Sequence, residues 1–280
     1  AIDISRVGIV YSNGNGEFNF IHRTFAEFFV AKFFFETIFM GKNRELLGKA
    51  VEVFCSIIKD GLDFVVIRSF IDGALENFEF ATLPNIETIR EKFNSCLVKP
   101  GKLSNCLHFL MNHDCIKIIE FILVHLIENT KKFWLENELF DGIIDEVENS
   151  TTFEKLWPII WRVLGAENLK EIWMEQKKLF HIAVRYRQVK VFEFFFNNHV
   201  NNAPLTLAEK QQVLMSEYHE MNILVAARLC HESDFESVYN LVANFLSSEQ
   251  MKSLLSYEKQ SNKDEFCWLV IDQYESWQKL

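Results

Sequence analysis

The chain has 280 residues, of which 49% are hydrophobic and 24% charged, and its formal net charge is −10. This composition is typical of a folded globular protein and argues against long disorder. The acidic balance argues against a general nucleic-acid binder, which needs a basic face to neutralise phosphates. Phe is frequent at 28 residues, whereas Gly and Pro number only 10 and 4. Because Gly and Pro make tight turns, their scarcity predicts a mainly helical protein with Phe as its core filler.

The N-terminal region has the pattern of a β-hairpin followed by a helix. Apolar residues alternate on both sides of Asn13-Gly14, which predicts a hairpin over residues 7–21. Thr24 and Glu27 have the spacing of a capping box at a helix start. Apolar residues then cover more than half of the circumference of a helix over residues 25–39, which predicts burial on most sides.

Three more helical patterns precede residue 100. They are a stripe of Leu47, Val51, Phe54 and Ile58, an apolar segment at 62–81, and a segment at about 85–97 between Pro84 and Pro100. From Gly101 the sequence repeats a pair of short helical patterns, with copies at Leu107-His108, at Phe180-His181 and, more weakly, at Ile223. Such units cannot bury their apolar faces alone and must stack on one another. The repetition therefore predicts an irregular α-solenoid over residues 101–280.

Residues 20–31 (FIHRTFAEFFVA) resemble the F-x-H-x-[ST]-F-x-E-[FY]-x-x-A segment of NACHT-type STAND NTPases, the nucleotide-switched receptors of innate immunity. In that family the segment closes a winged-helix domain, and the predicted hairpin stands where the wing should be. The resemblance implies that His22 contacts the β-phosphate of bound ADP, with ADP or ATP as the cofactor of an intact parent protein. It also implies that the phosphate loop lies upstream, so that this chain is the C-terminal part of such a parent. His22→Ala should then loosen ADP retention in the parent.

The repeated region resembles ankyrin repeats. Leu107-His108 and Phe180-His181 stand where that family has the Leu-His of T-P-L-H. The Thr-Pro is missing from both copies, and Asp114 and Arg187 replace the Gly between the two helices. The repeats are therefore degenerate, and a different helical-pair solenoid stays open as an alternative.

These observations predict a mainly α fold, an irregular ankyrin-like helical-repeat solenoid with one N-terminal β-hairpin. The predicted domains are a winged-helix remnant at 1–40, a helical linker domain at 41–100 and degenerate repeats at 101–280. No apolar run reaches the roughly 18 residues of a membrane span. The six cysteines form no C-x-x-C pair, which favours reduced, mostly buried thiols and a cytoplasmic location over a disulfide framework.

The sequence contains no Gly-rich phosphate loop and no Cys/His or carboxylate arrangement typical of catalysis. We therefore expect the isolated chain to be non-enzymatic, without a cofactor and without a metal. The preferred interpretation is a protein-interaction module, the sensor and autoinhibitory C-terminal region of a NACHT-like receptor. The alternatives are a nucleotide-switch component in which His22 completes an ADP site built elsewhere, and a helical enzyme whose pocket the sequence does not show.

Two surfaces are predicted to bind protein partners. Arg185, Arg187 and Lys190 lie in or near the turn between two ankyrin-like helices and are candidates for partner binding. The second surface is an exposed apolar patch around Phe25, Phe29 and Phe33, through which the chain would self-associate.

Overall fold

The structure is a computed structural model. It describes residues 10–12, 18–20, 23–59, 62–80, 83–97, 102–128, 130–136, 139–146, 150–185, 196, 205–218, 222–228 and 232–261. Most of these residues are helical, which confirms the predicted mainly-α class. The chain divides into two compact units, residues 1–164 and 165–280. The boundaries predicted at residues 40 and 100 fall inside the first unit and stay predictions.

The first unit begins with two short antiparallel strands. Strand β1 (Val10–Ser12) pairs with β2 (Phe18–Phe20), and Val10 lies opposite Phe20. Residues 13–17, with the predicted Asn-Gly turn, lie outside the described residues, so the hairpin as a unit stays a prediction.

Nine helices follow among the described residues up to the end of the first unit. They are α1 (Arg23–Phe34), α2 (Leu47–Lys59), α3 (Val65–Leu75), α4 (Ile86–Leu97), α5 (Lys102–Asn112), α6 (Ile116–Phe121), α7 (Lys131–Glu136), α8 (Leu139–Glu146) and α9 (Ser150–Glu175). Two of them continue as single π-helical turns, α1 through Phe35–Phe39 and α6 through Ile122–Leu126. Helix α9 crosses into the second unit and is interrupted at Gly165, which has φ 72° and ψ 169°.

The core of the first unit forms where successive helices pack side by side. Helix α3 packs on α1 and α6, and α2 packs on α4 and α5. The predicted stripe of α2 is confirmed, because Leu47, Val51, Phe54 and Ile58 are all buried. Phe39, in the π-helical turn after α1, joins these layers, with its ring centroid 4.9 Å from that of Phe121 and 6.3 Å from that of Phe54.

The turn between α5 and α6 ends helix α5 just before Asp114. Asp114 has φ 53°, a left-handed conformation that Asp tolerates better than most side chains. The backbone N–H of Cys115 donates to Leu110 at 2.9 Å, and that of Asp114 donates to Met111 at 3.0 Å. This pair of hydrogen bonds is the Schellman arrangement that ends a helix at a left-handed residue.

The second unit contains five further helices among its described residues. They are α10 (Lys178–Arg185), α11 (Leu207–Leu214), α12 (Ile223–Arg228), α13 (Glu232–Ala243) and α14 (Ser248–Ser261). Helix α12 packs against α10, α13 and α14. Its N-terminus is capped by buried Asn222, whose Oδ1 accepts the backbone N–H groups of Leu224 and Val225, both at 3.0 Å. The helix predicted at Ile223 corresponds to α12.

Candidate interaction surface

Helix α1 has a narrow buried stripe. Glu27, Ala31 and Phe34 are buried. Successive helical residues are about 100° apart around the helix axis, so these three residues lie within an arc of about 60° on one side of α1. This stripe faces α3, the element with which α1 makes its main packing. The opposite side of α1 has no comparable neighbour among the described residues.

That opposite side is apolar. Phe25 and Phe28 are each 43% exposed, Phe29 is 40% exposed and Phe33 is 38% exposed. We call these four residues the Phe face. Their positions form one arc centred opposite the buried stripe, and Lys32 is the one charged residue within this arc. The predicted exposed patch at Phe25, Phe29 and Phe33 is therefore confirmed, and the prediction that this helix is buried on most sides is wrong for α1.

The Phe face is comparable with the largest apolar patch of an ordinary soluble monomer. With about 200 Å² available on each Phe side chain, the exposed fractions correspond to about 300 Å² in total. The largest apolar patch of a monomer is often a functional surface. The surface extends onto α3, because the ring of Phe28 meets the partly exposed ring of Phe70 edge to face at 5.4 Å.

Polar contacts hold α1 in this orientation. Arg23 Nε donates to Glu27 Oε1 at 2.7 Å, and Arg23 Nη2 donates to the backbone carbonyl of Asp63 at 3.1 Å. The predicted capping box is wrong, since the helix begins at Arg23, before Thr24, and the Glu27 carboxylate pairs with Arg23 instead. These contacts tie the start of α1 to the segment that leads into α3.

A second cluster of polar side chains lies on α3, where the sequence analysis did not predict a functional group. Arg68 is fully buried, and its Nη1 donates to the backbone carbonyl of Ile57 at 2.8 Å, near the C-terminus of α2. One turn later Asp72 accepts the backbone N–H of Ile118 at 2.8 Å, in the first turn of α6. Each charge faces the helix end that favours its sign, because the helix dipole is negative at the C-terminus and positive at the N-terminus.

This cluster is best explained as a pair of helix caps rather than a catalytic site. Cys115 precedes α6 and offers no side-chain cap, so Asp72 supplies it from another helix. A signal for this role was present in the sequence. Arg68 and Asp72 are four residues apart and adjoin the apolar stripe of Ile67 and Ile71, where a charge needs a buried partner.

The thiols near this cluster are poor nucleophiles. Burial raises the pKa of both Cys106 and Cys115 to about 12, although the Arg68 guanidinium acts in the opposite direction. A thiol with such a pKa stays protonated at neutral pH, and the thiolate is the reactive form. The four described cysteines are free, and three of them are buried, as the sequence predicted.

The structure describes few of the residues predicted to form sites. His22, Arg187 and Lys190 lie outside the described residues. Arg185 is the last residue of α10, and its side chain also lies outside them. The partner-binding surface predicted at Arg185, Arg187 and Lys190 and the ADP contact predicted at His22 therefore stay predictions.

His181 and His108 occupy different positions in their helices. His181 is in the first turn of α10, where its Nδ1 lies 3.5 Å from the backbone carbonyl of Lys177. Burial lowers the pKa of His181, and backbone hydrogen bonds oppose this effect. His108 lies in the second half of α5. Its Nε2 lies 3.4 Å from Nδ2 of Asn112 on the same helix.

The described residues contain no group of three or more His, Cys, Asp or Glu side chains arranged to hold a metal ion. Within the same part of the chain, no helix is both long and apolar enough to cross a membrane. Comparison of the chain with protein-family models, with curated proteins and with solved structures gave no match.

Proposed function

We propose that this chain is a helical protein-interaction module and that the Phe face of α1 is one of its docking surfaces. The observation that carries the proposal is the exposure of four Phe side chains on the side of α1 opposite its packing partner. The preferred occupant is an amphipathic helix of another protein, because the ridge of Phe25, Phe29 and Phe33 follows the i, i+4, i+8 spacing that fits a helical groove.

Charge favours another protein over a second copy of this chain. Lys32 lies within the arc of the Phe face, so a symmetric pair would bring two copies of Lys32 together on two apolar surfaces. The face offers about 300 Å², whereas a stable interface buries about 800 Å² on each partner, so any partner also contacts surface outside the Phe face. An occupant with an acidic residue among its apolar positions would pair with Lys32.

The resemblances of residues 20–31 and of the repeated region suggest the kind of protein to which this module belongs. We propose that it belongs to the sensor and autoinhibitory region of a NACHT-like receptor and that its C-terminal part is an ankyrin-like stack of helix pairs. Support comes from the residues of the 20–31 segment, from the left-handed Asp114 between α5 and α6, and from the packing of α12 on α10.

Site-specific photocrosslinking tests the docking proposal. Benzoylphenylalanine replaces Phe29 in one variant and Val53 in a matched control, since Val53 is 42% exposed on α2 and lies outside the Phe face. We expect an adduct with another protein from position 29, and we expect Phe25→Ser in the same chain to remove it.

The mass of the adduct identifies the occupant. An adduct confined to two copies of this chain would replace the proposed partner with self-association, which sedimentation velocity would verify. Equal adducts from positions 29 and 53 would show that the Phe face has no specific partner and would refute the proposal.

A further inference from the structure

Three of the described cysteines lie on α2 and on the two helices that pack on it. Cys55 is on α2, Cys96 on α4 and Cys106 on α5, and α2 packs directly on both α4 and α5. Cys55 and Cys106 are buried, whereas Cys96 is partly exposed. Cys96 is therefore the member of this group that solvent reaches.

The register between α2 and α4 brings Cys55 and Cys96 together. Lys92 Nζ on α4 lies 3.2 Å from Glu52 Oε1 on α2. A Cβ placed on Gly48, one turn earlier on α2, would lie 3.5 Å from Lys92 Cε. Cys55 follows Glu52 by three residues on α2, and Cys96 follows Lys92 by four residues on α4. Each Cys therefore lies one further turn along its helix. The two thiols then face each other, and they are close enough to interact by a hydrogen bond.

We propose that Cys55 and Cys96 form a reversible disulfide when the protein meets a hydroperoxide, with Cys96 as the reacting thiol and Cys55 as the resolving thiol. The accessibility of Cys96 and its position opposite Cys55 assign these roles. Burial raises the pKa of Cys55, so this thiol does not react as a free thiolate and acts through its position beside the oxidised Cys96.

The chemistry takes two steps. The Cys96 sulfur attacks the nearer peroxide oxygen of hydrogen peroxide, so that an S–O bond forms, the O–O bond breaks and water leaves with the proton of the thiol. The Cys55 sulfur then attacks the Cys96 sulfur, the S–S bond forms, and the S–O bond breaks as a second water departs with the Cys55 proton. The two thiols together lose two electrons, and the peroxide gains them. The new bond would fix α4 to α2.

Peptide mapping without reduction tests the pair. Trypsin places Cys55 in peptide 50–59 and Cys96 in peptide 93–102, while Cys106 and Cys115 share peptide 103–117. After treatment of the full chain with hydrogen peroxide and alkylation of the remaining thiols, we expect peptide 50–59 linked to peptide 93–102, lighter than the two free peptides by two hydrogen atoms.

Variants separate the two roles. Cys96→Ser should abolish the linked peptide, and Cys115→Ser, a matched control at a buried thiol outside the pair, should retain it. Cys55→Ala should also abolish the link but leave Cys96 as a sulfenic acid that a dimedone probe labels. Far-UV circular dichroism verifies that each variant is folded. Absence of the 50–59 to 93–102 link in the folded, peroxide-treated protein, or a link from 50–59 to 103–117 in its place, would overturn the proposal.

Discussion

The Asp72 carboxylate should reduce the stability of the folded protein above pH 6. Burial is the main cause that raises its pKa from an ordinary value of 3.8 to about 6, and the backbone N–H groups of Ile118 and Lys117 oppose this shift. Between these two values the unfolded chain has already lost the proton that the folded chain still holds. The free energy of unfolding therefore falls as the pH rises through this window, by about 3 kcal/mol in all, and it stays at the lower level above pH 6.

Two substitutions separate the charge of Asp72 from its role as a cap. Asp72→Asn keeps an oxygen that accepts the N–H of Ile118, but it removes the buried charge. Its hydrogen bond is weaker than that of a carboxylate, so we expect a net gain of about 1 to 2 kcal/mol at pH 7.5. Asp72→Ala leaves the first turn of α6 without an acceptor, and it should be about 2 kcal/mol less stable than the Asn variant at every pH.

Urea unfolding followed by circular dichroism at pH 4.5, 5.5 and 7.5 measures these differences. The parent protein should lose stability across this range relative to Asp72→Asn, and the two should converge at the acid end. If Asp72→Asn is less stable than the parent at pH 7.5, the hydrogen bonds at the start of α6 outweigh the burial of the charge. That result would refute a net cost of the buried Asp72 charge.

Three further predictions concern other elements. Gly165→Ala should destabilise the protein by about 1–3 kcal/mol, because its φ of 72° and ψ of 169° fall in a region that only Gly occupies readily. No heavy atom lies within 4 Å of the added Cβ, so the cost comes from the backbone conformation and not from a clash. An unchanged urea midpoint would contradict this. Thr206 and Glu209 form the capping box of α11, so Thr206→Ala should cost about 1 kcal/mol in urea unfolding while Thr206→Ser stays close to the parent. The double variant Phe29→Ser/Phe33→Ser should reduce the binding of a hydrophobic dye and cost less stability per ring than Phe34→Ala, which removes a buried ring and should cost about 3–5 kcal/mol. An equal loss per ring would show that the Phe face is part of the core.

The helices that could be predicted from the sequence are those with a local signal. The stripe of Leu47 and Val51 repeats with the helical period, and the structure has α2 over Leu47–Lys59. Pro84 and Pro100 mark the ends of a segment that the structure forms as α4, from Ile86 to Leu97. In both cases neighbouring residues alone carry the information, because period and Pro positions are properties of the local chain.

The features that could not be predicted depend on contacts between distant segments. The π-helical turns at Phe35–Phe39 and Ile122–Leu126 have no distinct sequence pattern, yet they bring Phe39 and Phe121 together. The two caps supplied by α3 act on helices that begin or end elsewhere in the chain, so no capping pattern in the local sequence reveals them. The wrong capping box at Thr24 has the same origin, since Arg23 competes for the Glu27 carboxylate.

The contrast between α1 and α2 gives the strongest argument that the Phe face binds another molecule. In α2 the buried stripe is apolar, and Glu52, Ser56 and Lys59 lie on the exposed side together with Val53. In α1 the buried stripe contains a Glu and an Ala as well as Phe34, while four partly exposed Phe side chains lie outside it. Folding of this unit therefore leaves more apolar surface exposed on α1 than on α2. Exposed apolar surface favours aggregation unless a partner covers it, so a partner accounts for the exposed part of these four side chains where core packing does not.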